Sequence, residues 1–184
     1  MEQDSHRIKL KNQITEQFGK VTYSQTTHVK EAIRLESIDD GLKWISIILS
    51  VITTGGIIGF FLTDTVECTI VSIIASLIML VNSSILKEID YPDRISKHKQ
   101  VSDSLWYVRE QYLSLLIDFD SLSIEDIIHR RDDLMTTTGN IYSTAPATGK
   151  KSYKLAQKAL KVNEEQFFTS EELNSLLPES LRKK

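Results

Sequence analysis

The chain has 184 residues, 26% of them charged, a net charge of -3 and a mean hydropathy of -0.17. These averages suit an ordinary soluble domain and exclude any bulk electrostatic drive toward nucleic acid. They hide a sharp division, because the apolar residues are collected in one block between two polar flanks. A single cysteine, Cys68, excludes an intramolecular disulfide and a cysteine metal framework.

Residues 1–43 are predicted to form a cytosolic helix. Ile14, Phe18, Val21, Gln25, His28, Ala32 and Leu35 alternate at spacings of four and three, which places them on one face. Gln25 and His28 weaken the middle of that stripe. Such a face cannot be buried by one helix alone, so a partner is required. Asp39-Asp40-Gly41 is the expected break before the membrane, and Trp44 stands where an interfacial anchor belongs.

Residues 44–86 hold two runs, Trp44–Thr63 and Cys68–Leu86, with no Lys, Arg, Asp, Glu or His in either and only Asp64-Thr65-Val66-Glu67 between them. At about 1.5 Å per residue each run is roughly 28–30 Å long, the thickness of a bilayer's hydrocarbon core. The pattern predicts a two-span hairpin. Lys30, Arg34 and Lys43 precede it and Lys87, Arg94, Lys97 and Lys99 follow it, while the loop is acidic, so both termini are expected in the cytoplasm. The polar first 43 residues give no sign of a cleavable secretory signal.

Residues 87–119 form the next cytosolic helix. Pro92 predicts a kink or a fresh helix start, after which Val101, Leu105, Val108, Tyr112, Leu115 and Phe119 repeat the stripe of the first helix. The two stripes are expected to pack together beneath the hairpin. Residues 120–184 read as a tail of shorter helices. Ser123-Ile-Glu-Asp126 and Thr169-Ser-Glu-Glu172 mark helix starts, with a Thr-, Gly-, Ser- and Pro-rich loop over 136–148. The fold class is therefore all-α: a transmembrane hairpin extended by long cytosolic helices, with a short helical C-terminal tail.

Inside the spans, Ser46, Ser50 and Thr53 share one face, as do Thr69, Ser72, Ser76 and Ser83. These stripes line a pore between subunits or serve helix packing, and both readings stay open. Gly55 and Gly59 form a GxxxG pattern that permits close helix approach. Asn82 is placed for an interhelical hydrogen bond. No charge lies within the spans, which argues against a proton relay, a voltage sensor or an ion-coupled carrier. In the tail, Lys150, Lys154, Lys158 and Lys161 share a helix face with Lys151 beside them, either a solvated surface or an anion site for lipid phosphate, nucleotide or nucleic acid. Thr148-Gly-Lys-Lys-Ser152 lacks the leading glycine of a phosphate-binding loop and has Lys where Ser or Thr should follow the first Lys. His6, His28, His98 and His129 are scattered without ligand spacing, and no arrangement supports catalysis. No enzyme activity, cofactor or metal is expected.

The polar helix, tight hairpin and long following helix resemble the SLATT family, two-transmembrane effectors associated with SMODS and SLOG domains. The likeness extends through His98, Leu105-Trp106-Tyr-Val-Arg109-Glu110-Gln-Tyr112, Arg131-Asp132-Asp-Leu134, Ile141-Tyr142-Ser-Thr-Ala145-Pro146, Tyr153-Lys-Leu-Ala-Gln157-Lys-Ala-Leu160 and the 163–172 segment to Leu177-Pro178. It is similar to the subgroup with an added helical C-terminal region. The resemblance implies a bacterial immune effector that oligomerises in the inner membrane and opens a depolarising pore when phage is detected. It also implies a cytosolic sensor partner: a reverse transcriptase or its nucleic-acid product, or a nucleotide-synthesising enzyme. The alternative is a non-conducting membrane scaffold that recruits a partner enzyme or nucleic acid through its cytosolic helices.

Overall fold

A computed structural model describes residues 2–63, 65–166, 168–176, 178 and 182. Asp64, Phe167, Leu177 and Leu181 lie outside them. Among the described residues six helices run in order: α1 Glu2–Thr63, α2 Val66–Glu88, α3 Tyr91–Asp118, α4 Ile124–Thr144, α5 Lys150–Lys161 and α6 Ser170–Leu176. The architecture is all-α, as the sequence pattern predicts.

α1 is 62 residues long, a rod of roughly 90 Å that enters the membrane without interruption. The expected break at Asp39-Asp40-Gly41 is absent. Asp39 instead receives Lys43 one turn later at 2.6 Å, and Gly41 has open space around it, so the backbone simply continues. A mid-helix glycine costs about 1 kcal/mol, which stable turns on both sides offset.

α1 packs against α3 along its polar N-terminal half and against α2 along its apolar half. The two predicted stripes meet. Ile14, Val21, Leu105, Val108, Tyr112 and Phe119 are nearly fully enclosed, and Ile127 and Leu134 of α4 complete the core. Arg7 fastens the distal end by donating to the carbonyls of Phe119 at 2.6 Å and Leu122 at 3.2 Å. The result is a water-facing stem with a continuous apolar interior.

Helix boundaries follow local chemistry. Pro92 sits in the first turn of α3, where its missing N–H is harmless, and Asp90 caps the helix by accepting from the Asp93 amide at 3.0 Å. Ser123 caps α4 through the Asp126 amide, and Thr169 and Glu172 form a reciprocal box at α6. The predicted 136–148 loop is shorter than expected, because α4 continues to Thr144. Thr137 and Thr138 bond back to the carbonyls of Asp133 and Leu134, and buried Thr138 fixes that turn against the core. Tertiary packing overrides the weak propensity of the threonines.

Above the stem the character reverses. Trp44, Val51, Phe61, Leu62, Leu80 and Val81 are all more than 60% exposed. Both helices are long and apolar enough to cross a membrane.

Candidate functional site

Three regions carry the candidate residues: the hairpin interior, the polar seam where α5 meets the stem, and the outer face of α5.

In the hairpin, α1 and α2 touch through small and polar side chains. Asn82 donates to Ser46 Oγ at 2.6 Å and to the Leu42 carbonyl at 2.9 Å, tying the stem-proximal ends together. Ser50 bonds to the Ser46 carbonyl at 2.9 Å and reaches Met79 Sδ at 3.5 Å. Ser72 and Ala75 are buried, and Thr53 Oγ1 is enclosed without a hydrogen-bond partner among the described residues. Ser46, Thr53 and Ser72 thus face the partner helix of the same chain.

The GxxxG pattern divides. A Cβ on Gly55 would meet open space, whereas one on Gly59 would stand 3.3 Å from Cys68 Sγ. The tightest position is Gly56, where a Cβ would strike Ser72 Oγ and lie 2.8 Å from the Cys68 carbonyl. The GxxxG pattern singles out Gly55 and so passes over Gly56. The spacing of three between Gly56 and Gly59 is the signal in the sequence that marks it.

Thr69, Ser76 and Ser83 point elsewhere. They recur every seven residues, two helical turns, and Ser76 and Ser83 are exposed while Thr69 is half-buried. Each stands about 60–100° around α2 from the buried line of Cys68, Ser72, Ala75 and Met79. On α1, Ser50 and exposed Thr54 are displaced in the corresponding sense. For antiparallel right-handed helices these displacements bring all five hydroxyls to one side of the hairpin, with Gly55 and Gly59 on the other. Thr54 belongs to this set and is missed by sequence reasoning because its face depends on where α2 packs.

The seam lies lower, near the middle of the α1 stripe. His28 and His98 are each 4% exposed, and their Nδ1 atoms are 2.9 Å apart, so one ring donates and the other accepts. Burial, with the proximity of His98, pushes His28 down to about 4. His98 is also lowered, chiefly by burial, which together with Arg94 and Arg34 outweighs the opposing pull of Glu31. Both rings are neutral at pH 7. Beside them Glu31 is buried; Arg34 and Ser152 both donate to its carboxylate. Burial raises the Glu31 carboxyl, but those bonds, the Arg34 charge and the Gly149 amide prevail and hold it below its usual range.

α5 is fastened across α1 by this seam. Its inner face is Ser152, Ala156, Ala159 and Leu160, all buried. Beyond the helix, Gln166 donates to Thr26 at 2.9 Å and Gln25 at 3.3 Å while Arg109 of α3 donates to Gln166. Lys30 pairs with Glu165 at 2.6 Å. Gln25 and His28, which blur the apolar stripe, are the residues that connect three elements. The outer face presents Lys150, Lys151, Lys154, Lys158 and Lys161, every one exposed and none in an ion pair among the described residues.

The model of the SMODS and SLOG-associating 2TM effector domain family 4 matches residues 10–172, covering stem, hairpin and most of the tail. The chain belongs to the SLATT family. It is a membrane protein of the two-transmembrane effector type, and the family name associates it with SMODS and SLOG partners. No curated protein and no solved structure matches it.

Proposed function

We propose that this SLATT chain is the membrane effector of a bacterial anti-phage defence system. Copies assemble in the inner membrane with both termini in the cytoplasm, and the assembled hairpins form or gate a pore that depolarises the infected cell. The stem and tail hold the closed state and receive the signal from a cytosolic sensor, which the reading takes to be a reverse transcriptase or its product, or a nucleotide-synthesising enzyme.

The observation that carries this reading is the one-sided placement of Ser50, Thr54, Thr69, Ser76 and Ser83. Two helices cannot enclose an aqueous channel, so conduction needs several copies turning one face inward. A face of hydroxyls is suited to that role. In the single hairpin Ser50 and Ser76 bond to carbonyls of their own helices, at 2.9 and 2.6 Å, which makes them tolerable in lipid. Rotation of each hydroxyl toward water adapts the same residues to a wet lumen. Ser46, Thr53 and Ser72 hold the hairpin closed and do not serve as lining in this reading.

The test is membrane potential in cells carrying the partner system during phage infection. Ser76→Leu/Ser83→Leu is expected to abolish depolarisation while leaving insertion intact, and Ser84→Leu, on another face, is expected to leave it unchanged. Full protection without any loss of potential would overturn the reading. The rival scaffold reading draws on the internally satisfied hydroxyls, which make a closed hairpin stable by itself. Replacing both spans with an unrelated two-span anchor separates the two, since a scaffold survives the exchange and a pore does not.

A further inference from the structure

The outer face of α5 and the cleft beside it are not used by the pore reading. Five lysines occupy the face turned away from α1, over a helix of 12 residues, and no acidic side chain interrupts them. The face also lacks a buried apolar anchor of the kind that dominates protein–protein contacts. At its rim Tyr153 is 53% exposed and packs against Tyr23 of α1, with ring centroids 6.0 Å apart at 31°. The two rings border a cleft of about 500 Å³ that is also lined by Lys20, Ser24, Thr27 and Thr148. The hydroxyls of Ser24 and Thr148 have no protein partner among the described residues, so they stand ready for polar groups of a ligand.

Height decides against the bilayer as the occupant. α5 crosses α1 between Tyr23 and Glu31, 13 to 21 residues below Trp44. At about 1.5 Å per residue that is roughly 20–30 Å, more than two Debye lengths of about 8 Å at physiological salt. That height suits the lysines to a soluble polyanion rather than to lipid headgroups. The combination of a row of unpaired cations with an adjoining exposed aromatic ring and a cleft suits a strand whose phosphates follow the lysines while a base stacks on tyrosine.

We infer that the Lys150–Lys161 face and the Tyr23–Tyr153 cleft together form a binding site for single-stranded nucleic acid. The site stands independently of whether the hairpins conduct. Its placement has a consequence for signalling: the opposite face of the same short helix is held to the stem by the Glu31–Ser152 contact beside the paired histidines. A strand bound to α5 thus pulls on the element that joins α1 to the tail.

The experiment uses the full chain in nanodiscs of zwitterionic lipid and a fluorescent 20-nucleotide single-stranded DNA. Binding is expected to weaken with salt, with a log–log slope of about -3, since each neutralised phosphate contributes about -0.7. Lys150→Gln/Lys154→Gln/Lys158→Gln/Lys161→Gln is expected to remove most of that slope. The charge-matched control Lys9→Gln/Lys11→Gln/Lys97→Gln/Lys99→Gln is expected to retain it. Tyr153→Ala is expected to weaken the single strand by about tenfold with little effect on a duplex of the same length. Circular dichroism checks that each variant keeps its helices. The proposal would be overturned by no binding by the wild-type chain at about 50 mM salt, by an equal loss in the control, or by displacement by polyglutamate together with indifference to Tyr153→Ala. The last would assign the face to an acidic protein. Binding that appears only with anionic vesicles would assign it to lipid and overturn the proposal as well.

Discussion

α1 belongs to two interfaces, and they are built from different residues. In the stem it meets α3 through Leu10, Ile14 and Val21 against Leu105, Tyr112 and Leu115. In the hairpin it meets α2 through Ser46, Thr53 and Gly56 against Ser72, Ala75 and Asn82. Water drives the first contact, because each large side chain buried there leaves aqueous surroundings. Lipid gives no such drive, since an acyl chain is as apolar as leucine, and close backbone approach with a few hydrogen bonds takes over. One helix therefore changes its packing rule where its solvent changes, at about Trp44.

Shortening a leucine in each region should expose the contrast most strongly. Leu105→Ala is expected to destabilise the stem by about 2–5 kcal/mol, seen as a lower denaturation midpoint, because a fully buried side chain leaves a cavity. Leu80→Ala, on the lipid-exposed face, is expected to change the same midpoint by less than about 0.5 kcal/mol. Equal losses would show that the outer hairpin face is packed against protein.

A second pair tests the close approach. Gly56→Leu is expected to force the spans apart at a cost of about 1–3 kcal/mol, through its collision with Ser72 and the Cys68 carbonyl. Gly55→Leu, which enters open space, is expected to be tolerated. Cysteine cross-linking between the spans would read both. If Gly55→Leu proves the more disruptive, Gly55 packs against another copy.

The seam supplies a pH dependence to the stem. His28 is near 4 in the folded stem against 6.5 in the unfolded chain. Above pH 6.5 neither state binds the proton, and the full stability is present. Between pH 6.5 and 4 the unfolded chain is protonated while the folded one resists, so stability falls as pH falls. Tm is expected to drop by roughly 2–4 °C for each kcal/mol lost on acidification from pH 7.5 to 5. His28→Leu/His98→Leu should flatten that dependence, and an unchanged slope would remove the histidine pair as its source. Glu31, Arg34 and Arg94 lie close enough to the pair to set its remaining electrostatics.

A small loss is expected of Asn82→Leu. Loss of its bonds to Ser46 and Leu42 is expected to weaken the hairpin by about 0.6 kcal/mol, the usual scale for hydrogen bonds between membrane helices. Thermal scans of hairpin cross-linking would detect it. A loss several times larger would mean that this contact governs the hairpin as the apolar core governs the stem.

Much of the stem is legible in the amino-acid sequence. Alternating spacings of four and three find the faces of α1 and α3, and the caps at Ser123 and Thr169 are readable because capping acts within four residues. The hydroxyls of the spans are also visible as a set. Their division is not: Ser72 and Ser76 differ by one helical turn and in fate, one enclosed by α1 and the other exposed. Helical periodicity reports which residues share a face but not which face finds a partner.

What is local, and what depends on solvent, is written along the chain: two bilayer-length spans, their basic flanks, the amphipathic stripes and the lysine row on α5. What depends on the meeting of remote segments appears only once the helices pack. Packing joins His28 to His98 across 70 residues and Glu31 to Ser152 across 121, and it selects Gly56 over Gly55 as the point of closest approach. The physical reason is that periodicity and charge are carried along the chain, whereas pairing requires two distant surfaces to bury each other. In this molecule Gln25 and His28, flaws in a stripe when taken alone, become its junction for that reason.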